Sequence, residues 1–175
     1  MRNINTLAHS LLKPHLHKEA IAIDATAGNG NDTLFLASHC RFVYAFDIQK
    51  ESEINTKKRL EAFNNYKFIL DSHSNLTNYV KDSVDVVMFN LGYLPKSDST
   101  IITKPKTTIS ALSQALQLLK PDGYLSLCIY IGHDGGKQEQ EAIEDWLLTQ
   151  TDIEVTTYQN DHPLAPILKL IKKRK

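Results

Sequence analysis

Three apolar runs that each end in an aspartate constrain the fold of this chain more than any other feature of its sequence. They are Ala20 to Asp24, Phe42 to Asp47 and Lys67 to Asp71. Short apolar runs separated by helical patterns are typical of a parallel sheet whose helices cross between the strands. Because parallel strands share one carboxyl edge, the three carboxylates are expected to lie together where open α/β sheets bind ligands. The runs therefore predict a doubly wound α/β fold with a site at that edge.

The rest of the chain continues this alternation of strands and helices. Further strands are expected at 84–90, 124–130, 153–159 and 166–171, and helices at 4–16, 33–37, 54–63, 108–119 and 138–149, with a turn at 121–123 before the fifth strand. The last two strands are joined by too few residues for a crossover helix, so we expect them to pair antiparallel. A chain of 175 residues is about the size of one domain, and we expect a single domain over 1–175.

The charge balance and the apolar segments limit the classes of partner and compartment. Lys plus Arg and Asp plus Glu both number 20, so the net charge gives no argument for nucleic acid or for a membrane. No apolar run approaches the roughly 18 residues of a membrane span, and the start of the chain lacks the apolar core of a signal peptide. We expect a cytoplasmic protein with no membrane partner. The sequence leaves the oligomeric state open, a homodimer included.

The spacing of cysteines and histidines argues against a disulfide and against a metal site. Cys40 and Cys128 lie in apolar, strand-like contexts and form no CxxC pair, which indicates free buried thiols. His9, His15 and His17 lack the convergent cysteines or acids of a zinc site. We therefore predict no metal.

The strongest local motif is the glycine turn at 24–30, directly after the first strand. Its glycines allow the backbone to approach a ligand closely. A dinucleotide site would need a third glycine near position 33, but Thr33 stands there and Asp32 precedes it. A carboxylate at that helix start repels pyrophosphate and attracts a cation such as a sulfonium or an ammonium. The turn therefore weakens the NAD interpretation.

The two later strand-end acids fit a nucleoside. Asp47 lies 23 residues after Asp24, at the end of the next strand, where an acid commonly accepts both ribose hydroxyls. Asp71, one strand further, can accept the exocyclic amine of an adenine. Each acid alone could equally cap a strand or a helix. Three of them in register with a glycine turn favour a nucleoside site.

Several segments, taken together, resemble a known family. The segments 22–33, 89–95 and 132–133 are similar to the YtqB-like family of rRNA methylases, and the resemblance covers essentially the whole chain. It implies a Rossmann-like class I methyltransferase fold, whose seven-stranded, mostly parallel sheet has its last strand antiparallel and helices on both faces. It implies S-adenosylmethionine as cofactor. The motifs are most similar to members that methylate the 5-aminomethyl group of the wobble uridine, in the anticodon stem-loop of tRNA.

The resemblance also assigns the polar residues of the strand ends to parts of the cofactor. The residues implied to surround the methionine moiety are Asp24, Gly28, Asn29, Asn31 and Asp32. Asp47 is implied to bind the ribose, and the adenine is implied to lie against Asp71, Ser72 and His73. The expected cofactor site is completed by Thr26, Gly30 and Gln49.

The segment Asn90-Leu91-Gly92-Tyr93 stands where amine-methylating relatives carry Asn-Pro-Pro-Tyr. There a side-chain oxygen and the next backbone carbonyl hold the acceptor nitrogen. A primary amine attacks only as the neutral base, with its lone pair aimed at the methyl group. Asn90 is therefore the leading catalytic candidate. Tyr93 is the second, since it can stack on a uracil ring, although such a tyrosine is about as often a packing residue.

Basic residues near the acceptor motif are candidates for contacts with RNA. The loop and the start of the next helix contribute Lys96, Lys104 and Lys106, and the tail contributes Lys169, Lys172, Lys173, Arg174 and Lys175. Clustered cations near the catalytic edge would contact phosphates, although lysine-rich loops and tails are often only solvated. His133 can touch the substrate or act as a base, and a structural role in a turn is equally plausible for it.

Three other functions remain open at this point. Methylation of a small metabolite uses the same fold without RNA. A non-catalytic RNA-binding protein would retain the fold, but the strand-end acids and Asn90 occur together, which argues against it. An NAD-dependent oxidoreductase is weakened by Asp32 and Thr33.

Overall fold

A computed structural model describes residues 3–92 and 104–174. Over these residues seven strands form one sheet: β1 (Ile21–Asp24), β2 (Phe42–Asp47), β3 (Tyr66–Leu70), β4 (Val84–Leu91), β5 (Leu119–Ile129), β6 (Ile153–Gln159) and β7 (Ile167–Lys173). Their spatial order is β3-β2-β1-β4-β5-β7-β6. The first five strands pair parallel, and β7 pairs antiparallel with both β5 and β6. This confirms the mostly parallel sheet and the antiparallel terminal hairpin.

Six α-helices are described in the same residues: α1 (Ile4–Leu12), α2 (Asn31–Ala37), α3 (Lys50–Arg59), α4 (Leu76–Tyr79), α5 (Pro105–Leu118) and α6 (Gly136–Leu148). They cover both faces of the sheet. On β4, Val87 and Phe89 belong to the core cluster shared with α4, α5 and α6, whereas Val86 and Met88 belong to the cluster shared with α1 and α2. Because successive strand residues point to opposite faces, a sheet covered on both sides needs nearly continuous apolar strands.

The register brings the strand ends together at one edge. Asp24, the last residue of β1, lies opposite Ala45 of β2 and Met88 of β4. The glycine turn therefore leaves the sheet at the end of β1, between the ends of the neighbouring strands β2 and β4. This is the position at which open α/β sheets form a ligand crevice.

The element bounds differ from the sequence expectation in a few places. The first helix ends at Leu12, and Pro14 lies in a short 3-10 turn that follows it. The short α4 was not expected, because four residues are too few to show a helical period. The expected turn at 121–123 lies inside β5 as an irregularity: Leu119 pairs with Val84, Asp122 adopts φ 64°, and pairing resumes at Tyr124. No helix in the described ranges is both long and apolar enough to cross a membrane.

Candidate active site

The glycine turn is held in a conformation that only glycine adopts readily at two positions. Gly28 and Gly30 have φ values of 54° and 84°. Gly30 caps the start of α2, and a Cβ atom there would lie 3.0 Å from the Thr56 Cα. The backbone N–H of Ala27 donates to the carbonyl of Phe46 at 2.8 Å, which ties the turn to β2. The turn is therefore part of the rigid sheet edge.

Asp47, at the end of β2, braces the turn from the neighbouring strand. Its Oδ2 accepts the backbone N–H of Gly28 at 2.9 Å, and its Oδ1 accepts that of Gln49 at 3.0 Å. These two bonds fix the plane of the carboxylate where it lines the cleft. The sequence predicts that the strand-end acid and the glycine turn belong to one site, and a hydrogen bond joins the two directly.

Helix α3 fastens the outer side of the turn. Thr56 Oγ1 donates to the Gly28 carbonyl at 3.1 Å, and Asn55 Nδ2 donates to Asn29 Oδ1 at 3.0 Å. Arg59 Nε donates to the Asn29 carbonyl at 2.8 Å. None of these contacts was expected, because α3 is polar and carries no motif.

Asp24 lies beneath the turn and does not reach the cleft. It is fully buried, and its two oxygens accept the Thr33 hydroxyl at 2.6 Å and the Thr26 backbone N–H at 3.2 Å. Burial, followed by the charge of Asp32, raises the pKa of the Asp24 carboxyl above its ordinary value. Asp24 is not among the residues that line the cleft, so its expected contact with the methionine moiety stays a prediction.

Asn90 stands near the end of β4, on the face that Val86 and Met88 share with α2. Its side-chain Nδ2 donates to Asp32 Oδ2, and its backbone N–H donates to Thr26 Oγ1 at 2.6 Å. Since an ionised carboxylate only accepts hydrogen bonds, the amide group must turn its NH₂ toward Asp32. Asn90 Oδ1 is then buried without a hydrogen-bond partner among residues 3–92 and 104–174. Such a buried acceptor is a candidate for a hydrogen bond from a ligand.

These elements surround a cleft of about 740 Å³ at the carboxyl edge of the sheet. The predicted site residues that line it are Thr26, Gly28, Asn29, Asn31, Asp32, Asp47, Gln49, Asp71, Ser72, His73, Asn90, Gly92 and His133. Asp24, Gly30 and Leu91 are not among its lining residues. Leu91 packs its side chain into the core, and its carbonyl accepts the Tyr130 N–H at 3.2 Å. Tyr93 and Lys96 lie outside the described residues.

The far end of the cleft carries the residues expected around an adenine. Asp71 Oδ2 accepts the Tyr79 hydroxyl at 2.6 Å, and this bond lowers the pKa of the Asp71 carboxyl. His73 is buried, and burial lowers the pKa of its imidazole. Its Nδ1 lies 3.2 Å from the Ala25 carbonyl, so it carries the proton. The side chain of Ile48, 59% exposed, adds an apolar wall beside Asp47.

The basic residues divide into two groups. Lys104 and Lys106 are exposed at the start of α5, next to Thr107, which lines the cleft. Lys172 lies elsewhere: it pairs with Tyr124, where the ladder of β5 and β7 begins, and the cleft-side end of that ladder is Ile129. Lys173 donates to the carbonyls of Leu116 and Leu119, both at 2.7 Å. For Lys172 and Lys173 the expectation that the tail lies near the catalytic edge is therefore wrong, because antiparallel β7 carries them away from it. Lys175 lies outside the described residues.

Several lining residues were missed by the sequence analysis. They are Asn5, Ile48, Thr107, Tyr130, Ile131, Gly132, Leu164 and Pro166, with Ala25 and Ala27 of the turn itself. His9 of α1 was considered only as a zinc ligand, yet its Nε2 lies 2.6 Å from Asp32 Oδ1. The Tyr130 hydroxyl donates to Asn5 Oδ1 at 3.2 Å. Helix α1 precedes the first strand, and no spacing in the sequence links it to the glycine turn.

Among the residues that the structure describes, no three His, Cys, Asp or Glu side chains are arranged to hold a metal ion. Cys40 and Cys128 are buried free thiols, and burial raises the pKa of both to about 12. Such thiols are poor nucleophiles.

The sequence matches a known family and a curated relative. Residues 43–172 match the model of a family described as "Putative rRNA methylase". The chain is 37% identical to the Arabidopsis thaliana protein named "tRNA (mnm(5)s(2)U34)-methyltransferase, chloroplastic", over 96% of the chain and 68% of that protein.

Solved structures are similar over nearly their whole length. A "putative rRNA-methylase" from Clostridium thermocellum is 38% identical, with a TM-score of 0.94, and the match covers 99% of this chain and 98% of that one. A "putative methyltransferase" from Streptococcus mutans, solved in complex with SAH, is 37% identical, with a TM-score of 0.92 and 99% of both chains covered.

Proposed function

Because the chain belongs to the family described as "Putative rRNA methylase", we propose that it methylates an amine on RNA with S-adenosylmethionine. The proposed acceptor is the 5-aminomethyl group of the wobble uridine, in the anticodon stem-loop of tRNA. The observation that carries this proposal is Asn90 Oδ1, a buried acceptor without a partner in the described residues, at the end of β4 beside the glycine turn.

The residues of the cleft fit S-adenosylmethionine. Its sulfonium and ammonium groups are cations, and Asp32 is a carboxylate at the wall of the cleft, 5% exposed. The Asp47 carboxylate, which is fixed by two backbone donors, is proposed to accept the ribose hydroxyls. Ile48 and His73 offer an apolar wall and a flat ring for the adenine. When bound, S-adenosylmethionine supplies an electrophilic methyl group on sulfur.

Asn90 is proposed to orient the acceptor amine. Its Oδ1 accepts one N–H of the amine, and the amide cannot rotate without placing this oxygen against the Asp32 carboxylate. Holding one N–H fixes the direction of the lone pair, which must be aimed at the methyl group for in-line displacement. The reaction needs no covalent intermediate with the protein, in keeping with the buried, protonated thiols.

The RNA is proposed to approach over the start of α5. Lys104 and Lys106 are exposed there, and Thr107 of the same turn lines the cleft. Lysines at the mouth of a catalytic cleft contact phosphates and so position the RNA without reading its sequence. Lys96 and Tyr93, of the segment that joins the acceptor motif to α5, are proposed to contribute a phosphate contact and a stacking contact, respectively.

The experiment is single-turnover methylation of tRNA that carries 5-aminomethyluridine at the wobble position, read by mass spectrometry of the nucleosides. We expect conversion to 5-methylaminomethyluridine, and no product on the same tRNA with unmodified uridine. Ribosomal RNA and the free nucleoside are assayed in parallel. Methylation of either of these in place of tRNA would replace the proposed substrate by rRNA or by a small metabolite. No methylation of any of them would contradict the enzymatic proposal.

A further inference from the structure

We propose that His9 is a positioning residue for the methyl transfer, acting through Asp32 on the orientation of the Asn90 amide. The inference rests on the proposed function, since it takes Asn90 as the group that holds the acceptor amine. Asp32 connects the two residues: His9 Nε2 lies 2.6 Å from its Oδ1, and Asn90 Nδ2 donates to its Oδ2.

Helix α1 places His9 rigidly over the first turn of α2. Its neighbour Ala8 and the later Leu12 are buried against the sheet, which fixes the rotation of the helix. The imidazole ring stacks on the Phe35 ring, with centroids 3.9 Å apart and an interplanar angle of 6°. The stacking fixes the plane of the ring, so that Nε2 is held in line with the Asp32 carboxylate.

The chemistry of the acceptor decides which ring nitrogen of His9 carries a hydrogen in this contact. An ionised carboxylate offers no hydrogen, so His9 Nε2 must carry the proton that it donates to Asp32. The side chain of His9 is 26% exposed and that of Asp32 only 6%. The ring therefore lies between the buried carboxylate and solvent, and it supplies a donor that water would otherwise have to provide.

The consequence concerns a choice between two amide orientations. The backbone of Asn90 is fixed by Thr26, but its side-chain amide can in principle rotate by half a turn. Only the orientation with NH₂ toward Asp32 leaves Oδ1 free to accept from an amine. A carboxylate held on both oxygens cannot turn away from Asn90, whereas one released by His9 can rotate and accept water instead. His9 thus acts on the acceptor amine without touching it.

The test compares three variants of His9 in the single-turnover assay. His9→Phe keeps a ring to stack on Phe35 but removes the donor, and we expect the rate to fall by roughly tenfold. His9→Gln retains a donor at similar reach and should recover most of the rate, whereas His9→Asn, which is shorter, should not. The Kd for S-adenosylmethionine and the KM for tRNA should change by less than about twofold, since the residue acts on orientation.

A double-mutant cycle separates this role from a structural one. On the Asn90→Ala background, His9→Phe should cause no further loss, because the group through which it acts is absent. A multiplicative loss in the double variant, or a His9→Gln variant as slow as His9→Phe, would overturn the inference.

The inference also has a readout that does not depend on activity. The side-chain NH₂ signals of Asn90, identified in an NMR spectrum by their loss in Asn90→Ala, should exchange faster with solvent in His9→Phe than in the wild type. Unchanged exchange would overturn the role of His9, whether or not the wild type methylates tRNA. A wild type that fails on tRNA while this exchange accelerates would contradict only the proposed substrate.

Discussion

The Asp47 carboxylate and the Gly28 backbone N–H form a hydrogen bond of 2.9 Å that joins the end of β2 to the glycine turn after β1. The same carboxylate accepts the Gln49 N–H, so both of its oxygens are oriented by the backbone. A carboxylate fixed in this way binds a pair of hydroxyls at little entropic cost. The bond also joins the proposed ribose site and the proposed methionine site in one edge of the sheet.

Asp47→Ala should therefore weaken the binding of S-adenosylmethionine by about 1 to 3 kcal/mol, through the loss of charge-assisted hydrogen bonds. Calorimetric titration measures the change. The matched control is Asp152→Ala, which removes an exposed carboxylate that does not line the cleft. Equal affinities for both folded variants would show that the cofactor lies elsewhere.

Gly30→Ala should lower the free energy of unfolding by about 1 to 3 kcal/mol, although Gly30 does not line the cleft. A Cβ atom there meets Thr56, and the φ of 84° is strained for alanine. Urea denaturation, followed by the fluorescence of the single tryptophan, Trp146, measures the loss. Gly132→Ala is the control, since the nearest atom to its Cβ would be 4.0 Å away. Similar stability of the two variants would argue against the strain.

The sequence predicted the sheet and its edge well because those features have short-range signals. Each apolar run became a strand that ends in its acid, or is followed directly by it, at the carboxyl edge of the sheet, although only Asp47 and Asp71 line the cleft. The short terminal connection forced the antiparallel hairpin. The deep position of Asp24 was not predicted, because a strand-end acid looks the same whether it points under the turn or into the cleft. His9 was missed as a partner of Asp32, since their contact spans 23 residues and follows no periodic pattern.

The tail shows the limit of arguments from charge clusters. Lys172 and Lys173 are close in the sequence to Leu164 and Pro166, which line the cleft just before β7 begins, but antiparallel pairing puts the two lysines at the opposite edge of the sheet. Direction along a strand decides which edge a residue reaches, and composition carries no information about direction. Lys104 and Lys106, by contrast, begin a helix whose first turn must start at the carboxyl edge, where β4 ends.

Asp24 should make the stability of the protein depend on pH. Its pKa is raised above the ordinary value of 3.8, chiefly by burial. As the pH rises above 3.8, the unfolded chain releases this proton while the folded protein retains it, so the free energy of unfolding decreases up to the raised pKa. Asp24→Asn has no carboxyl group to titrate at this position. Its free energy of unfolding, relative to that of the wild type, should therefore increase with pH.

Urea denaturation at about pH 5 and at about pH 8 measures this difference. Each unit by which the pKa is raised is worth about 1.4 kcal/mol, so the change is readily detected. Asp152→Asn, at an exposed position, should show the same stability relative to wild type at both pH values. An Asp24→Asn variant that behaves in the same way would place the Asp24 pKa near its ordinary value.

The binding of RNA should weaken steeply with salt, whereas that of S-adenosylmethionine should change little. Replacing Lys96, Lys104 and Lys106 by alanine should reduce the salt slope, by roughly 0.7 to 0.9 for each phosphate contact removed. Fluorescence anisotropy with labelled tRNA gives the slopes. The control replaces three exposed lysines that do not line the cleft, Lys58, Lys67 and Lys81. If both triple variants keep the wild-type slope, the first three lysines are only solvated.

Asn90→Ala should spare the binding of S-adenosylmethionine and reduce the single-turnover rate on tRNA by about 10², the loss typical of a misplaced reactant. The expectation follows from the two polar atoms of the Asn90 side chain. Its Nδ2 donates to Asp32, and its Oδ1 is buried without a partner in the described residues. Asn160→Ala, at an exposed turn, is the control and should retain the full rate.

The dependence of these rates on pH distinguishes orientation from proton removal. A primary amine attacks only when neutral, so the rates of wild type and Asn90→Ala should both rise with pH until the bound amine is deprotonated. An amide does not titrate in this range, so its loss should lower the whole profile without removing the rise. Since Asn90 orients the lone pair, the ratio of the two rates should stay nearly constant across pH. If the ratio of the wild-type rate to the variant rate falls to one at high pH, Asn90 assists deprotonation instead. A variant as fast as the wild type at every pH would remove Asn90 from the mechanism.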